Sequence, residues 1–104
     1  MFGKMGDMMG MMGKMKEMQK KSQEVKDRLD TISVDADVDG MVKVVSTGNR
    51  KITSISISEV LMKEGDKDQI EELTLHAINR ALEKAEKVAE TEMASIAKGM
   101  LPGM

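Results

Sequence analysis

The chain contains no cysteine, no tryptophan and no tyrosine, and its one aromatic residue is Phe2. Without cysteine, disulfide scaffolds and thiolate metal sites are excluded. Without aromatics, the interior has to be built from Val, Ile, Leu, Ala and Met, and the side chains that usually bury most area are missing. A core of that kind in 104 residues fits one domain, and a second subunit would strengthen it. No run of about 18 apolar residues occurs, so no membrane-spanning helix is expected. Lys4, Asp7 and Lys14 interrupt the N-terminal methionine tract, which therefore does not read as a secretory signal, and a cytoplasmic location is expected. Also missing are a glycine-rich phosphate loop after a strand, a serine nucleophile elbow and a His/Glu metal pair. The single histidine, His76, falls on the polar side of the last helix with no catalytic partner in sight. No enzyme activity, cofactor or small-molecule substrate is expected.

The charge that is present is unevenly placed. The net charge is −2, yet residues 1–28 carry seven basic side chains against four acidic ones, and residues 29–104 carry nine against fourteen. The basic excess therefore lies at the N-terminal end, and its placement matters more than the sum.

Residues 1–13 hold six methionines and four glycines. Each interior glycine costs a helix about 1 kcal/mol relative to alanine, so this segment is expected to be frayed or flexible. From Lys14 good helix formers take over. Met11, Met15, Met18, Ser22, Val25, Leu29 and Ile32 repeat with the alternating 4–3 spacing of a heptad seam, interrupted only by Ser22. Glu17–Lys21 and Glu24–Arg28 add intrahelical pairs in the favoured orientation. A first helix to about Asp30 follows.

The period then becomes two. Ile32, Val34, Ala36 and Val38 alternate with polar residues, and Asp39-Gly40 supplies a hairpin turn. Met41–Thr47 reads as a second strand, Gly48-Asn49 as a tight turn, and 52–58 as a third strand with Thr53, Ile55 and Ile57 on one face. Gly65-Asp66 breaks the chain, and Asp66 with Gln69 forms a capping pair for a helix from Lys67 to about Lys98, ended by Gly99 and Pro102. Its apolar positions include Leu73, Ala77, Ile78, Ala81, Leu82 and Ala85, the expected core and dimer residues. Together with their neighbours they spread over roughly 200°, more than one sheet covers. The predicted fold is α+β: an N-terminal helix, a three-stranded antiparallel meander and a long C-terminal helix, dimeric with sheets joined across a two-fold axis. The domain spans residues 14–98, with a short tail at 99–104.

Several stretches resemble one family. Met1-Phe2-Gly3-Lys4, Met15-Lys16-Glu17-Met18-Gln19, Gly40-Met41-Val42-Lys43-Val44, the strand from Asn49 to Ile57, Glu71-Glu72-Leu73 with Ala77 and Asn79, and the tail Met93-Ala94-Ser95 to Pro102-Gly103 are similar, in order, to the YbaB/EbfC proteins. The chain departs from that pattern at Ser58-Glu59, where the family often has Asp-Pro. The resemblance implies a homodimer with helical arms around DNA, a nucleoid-associated role with little sequence preference, and effects on gene expression.

Lys14, Lys16, Lys20, Lys21, Lys26 and Arg28 on the first helix are the candidate phosphate contacts, with Lys84 and Lys87 on the last helix as an extension. Lys16 and Lys20 sit roughly opposite the apolar seam and lack an i,i+4 carboxylate in the favoured orientation, four residues before the lysine. A solvated, ion-paired helix face is the bland reading of the same residues. Asp35-x-Asp37-x-Asp39-Gly40 matches half of a calcium loop, but Ser46 stands where the bidentate acid belongs, and the flanks read as strands. The methionine cluster is better suited to packing or a protein partner than to Cu(I). DNA is the expected partner. A protein-interaction adaptor using the Met-rich helix is the alternative, and a Cu(I)-binding protein ranks behind it.

Overall fold

The computed structural model describes the backbone of residues 2–100 and the side chains of residues 10–98. In chain order it forms α1 (Phe2–Thr31), β1 (Ser33–Val38), β2 (Val42–Thr47), β3 (Ile52–Ile57), α2 (Glu59–Glu64) and α3 (Lys67–Met100). The strands make one antiparallel sheet in the order β1-β2-β3. The α+β meander read from the residues is the fold observed.

Alternation on the first two strands sets the core. Ala36 and Val38 of β1 and Val42, Val44 and Ser46 of β2 are buried on one face. The turn between these strands gives both Asp39 and Gly40 positive φ (54° and 68°), the geometry expected of Asp-Gly. Asp37 Oδ1 accepts from the Gly40 amide at 2.9 Å, so one of the three aspartates secures the turn.

Over this face lies α3. Asp66 caps it, accepting from the Gln69 amide at 2.7 Å. Ala77, Ala81 and Ala85 are fully buried at four-residue spacing. Their short side chains let the helix approach the sheet closely, and Leu61 of α2 closes the same cluster with half-buried Ile70, Leu73 and Ile78. Leu82 is also half-buried. His76 is exposed, as its helical position predicts.

Four features differ from the sequence reading. On β3, consecutive residues Val45 and Ser46 pair with Ser54 and Ile52, so Thr53 is the extra residue of a bulge. The bulge flips the parity and returns Ile52 to the face of Ile55 and Ile57, where strict alternation had set it with the serines. Next, residues 59–64 form a helical turn that was not anticipated, capped by Ser58 Oγ accepting from the Leu61 amide at 3.1 Å. In α1, helix runs from Phe2 across the glycine-rich segment, so no helix end marks the expected boundary at residue 13. Gly10 and Gly13 have nothing within 4 Å of an added Cβ, so neither serves a close contact. Finally, α3 continues through Met100, past the glycine expected to end it. The remainder of the expected tail lies outside the described residues.

The heptad seam is buried only at its sheet end. Val25 and Leu29 are 4% exposed, whereas Met11, Met15 and Met18 are 65%, 59% and 54% exposed. At 1.5 Å per residue α1 and α3 are about 45 and 51 Å long, longer than a six-residue strand can support. The excess projects, and the molecule measures 75 × 24 × 19 Å.

Candidate nucleic-acid interface

The projecting part is an arm whose base is fixed by three sets of contacts. Gly48, in the β2–β3 turn, donates its amide to the carbonyls of Leu29 and Ile32, both at 3.0 Å. A Cβ there would sit 2.8 Å from Leu29 Cδ2 and 3.0 Å from the Leu29 carbonyl, so glycine is required for close approach. The positive φ of this turn (62°) falls on Arg50 instead. Asn49 then donates its side-chain amide to the Lys26 carbonyl at 2.8 Å and to the Asp30 carboxylate. Between the helices, Arg28 meets Glu92 at 3.3 Å. The expected Glu24–Arg28 pair gives way to that contact, because a carboxylate on α3 is within reach and is better shielded. Glu92 is 18% exposed.

The expected DNA-contacting residues divide accordingly. Lys21 pairs with Glu17 at 3.6 Å, as the spacing predicts. Lys84 donates to the Asp35 carbonyl at 2.7 Å and so braces α3 on β1. Lys14, Lys16, Lys20, Lys26 and Lys87 are exposed, and none has a carboxylate within 4 Å among the described residues. The first four are spread along α1, and only Lys87 of the five is on α3. Sequence reasoning missed Arg50, which joins Lys26 in a groove between α1, the turn and α3. That groove also holds Asp30, Glu86 and Glu90, so it is of mixed charge. Proximity of residue 50 to residue 26 had no signal in the sequence. A second, more apolar groove on the arm is lined by Met18, Ser22, Val25, Leu29 and Met93.

A further apolar surface lies beside the sheet. α3 covers β1 and β2 but little of β3, leaving Ile55 47% exposed on the inner face. Lys84 marks the β1 side of α3, and Glu86, Ala89 and Met93 mark the side toward the β2–β3 turn. By helical spacing Leu75, Ile78 and Leu82 fall on this second side, and Leu75 is 61% exposed. Floor and wall form a corner that one more helix would fill.

The protein is thus a two-layer α+β body with a cation-bearing helical arm. The sequence profile of the YbaB/EbfC DNA-binding family matches residues 5–100, and the chain belongs to that family. A nucleoid-associated protein of Flavobacterium johnsoniae is 42% identical over 99 residues, covering 94% of this chain and 92% of the relative. One from Exiguobacterium is 40% identical over 103 residues, covering 97% and 95%. The crystal structure of an uncharacterized protein from Helicobacter pylori superposes with a TM-score of 0.61 at 20% identity, over 84% of this chain and 98% of that one. That last likeness concerns the fold.

Proposed function

We propose that this protein binds duplex DNA as a homodimer, chiefly through the phosphate backbone, and acts in the nucleoid within the cytoplasm to organise the chromosome and influence gene expression. The observation that carries the reading is the arm itself, where Lys14, Lys16, Lys20 and Lys26 stand exposed and free of carboxylate partners among the described residues. Such cations bind a polyanion by displacing its counterions, which needs no base readout and no pocket. The names of the relatives agree with this role.

The uncovered corner supports the dimer. One helix, about 10–12 Å wide, covers two strands spaced about 4.8 Å apart and leaves much of the third uncovered, Ile55 above all. A second α3 packed against Ile55, Leu75 and Leu82 would bury that corner and yield two arms.

Binding is expected to weaken with salt, with a log–log slope near −0.9 for each phosphate neutralised. Lys14→Ala combined with Lys16→Ala should lower affinity for all duplexes and flatten the slope by up to about 0.9 per lysine removed. An unchanged slope would remove the arm from the interface. The exposed methionines favour a second reading, a protein adaptor. Absence of any gel shift at low salt with micromolar dimer would select it.

A further inference from the structure

We infer that the methionine face of α1 is the side that meets the duplex, lying in the major groove with Met11, Met15 and Met18 toward the base edges and with Lys14 and Lys16 toward the two phosphate walls. This inference rests on the DNA-binding reading above and adds which face of the arm is used.

The first observation is the placement of charge around α1. At about 100° per residue, Lys14 and Lys16 stand on either side of Met15, and Lys21 repeats the Lys14 flank one heptad on. The carboxylates Glu17, Glu24 and Asp27 lie about 120–200° from Met15, on the back of the helix with Lys20. A polyanion approaching the back meets these acids. Along residues 10–28 it meets, on the methionine face, lysines at both margins and no carboxylate between them, and Asp30 on the same side is held at the base of the arm by Asn49. Of the two lysines set opposite the seam from the sequence, Lys16 lies about 100° from Met15, at the margin of the methionine face, and Lys20 about 140°, so Lys20 contributes long-range attraction and not a wall contact.

The second observation is that the methionines are bare. Met11, Met15 and Met18 are each more than half exposed although they continue the seam that Val25 and Leu29 bury. The major groove, about 12 Å wide, admits a helix about 10–12 Å across. Its floor has one apolar group to offer such side chains, the 5-methyl of thymine. Thioethers are flexible and poor hydrogen-bond partners, so they would favour thymine-rich tracts without reading a fixed sequence. A second copy of the arm fits this face less well, because its lysines would oppose like charges.

The test compares the full chain on an A·T-rich duplex with the same duplex carrying deoxyuridine at every thymine, by fluorescence anisotropy. The parent should bind the thymine duplex more tightly, by about fourfold for each methyl group fully buried. The variant M11Q/M15Q/M18Q keeps every charge and alters only exposed positions, and circular dichroism confirms its helix. It should bind both duplexes with the weaker affinity and keep the parent's salt slope. Equal affinity of the parent for both duplexes overturns the inference while leaving backbone binding intact, as does a thymine preference that survives in the variant. A variant with unaltered DNA binding but a lower sedimentation mass also overturns it, assigning the face to contact between copies. Failure of the parent to bind either duplex at low salt defeats the DNA reading itself.

Discussion

Gly48→Ala is a single methyl substitution that tests how the arm is attached to the sheet. The new Cβ would lie 2.8 Å from Leu29 Cδ2, 3.2 Å from Leu29 Cβ and 3.0 Å from the Leu29 carbonyl oxygen. A leucine rotamer change relieves the first contact, but the carbonyl belongs to the last turn of α1 and moves only with the helix. Retreat of the helix also lengthens the two hydrogen bonds from the Gly48 amide. Overpacking of this kind costs about 1–3 kcal/mol, and each kcal/mol lowers Tm by about 4–8 °C in a domain of about this size. Thermal unfolding followed by circular dichroism at fixed protein concentration measures it. The matched control is Gly13→Ala, the same chemical change where nothing lies within 4 Å. It should leave Tm unchanged or raised, since alanine favours helix by about 0.5–1 kcal/mol. A Tm for Gly48→Ala equal to the parent's would refute the close approach and, with it, the rigid seating of the arm.

Asn49→Ala removes the side-chain links to Lys26 and Asp30 and should reduce stability by about 1 kcal/mol, read from urea unfolding. A loss within error would show that the turn holds α1 through Gly48 alone. Ile55→Glu places a carboxylate in the proposed dimer corner, and leaving it buried without a partner costs on the order of several kcal/mol. Sedimentation should then report the monomer mass with native circular dichroism, because Ile55 is already half-exposed in the single chain. A dimer mass for this variant places the interface elsewhere.

Much of the fold was legible because the signals are local. Alternation in 32–38, the Asp39-Gly40 turn and the Asp66 cap each depend on a few neighbouring residues, and each appears where those residues stand. The errors share a different origin. The bulge at Thr53 depends on what β2 offers opposite it, and α2 depends on Ser58 as a cap at a position that reads equally well as the end of a strand. The seam in α1 keeps its period along its length, but period does not tell whether a partner is present to cover it. Of the candidate cations, Lys14, Lys16, Lys20 and Lys26 could be picked from charge and spacing. That Arg28 would turn to Glu92, and Lys84 to a carbonyl on β1, required contacts between residues 49 or more positions apart.

Periodicity, turn residues and the lack of aromatics determined an aliphatic α+β meander flanked by two helices, the second longer than its sheet, because those properties act within a few residues. Tertiary structure alone decided that Arg28 and Lys84 are tied down, why Gly48 must lack a side chain, and that Ile55 of β3 is left half-exposed. Each of these depends on surfaces meeting across the chain, where distance in sequence carries no information about distance in space.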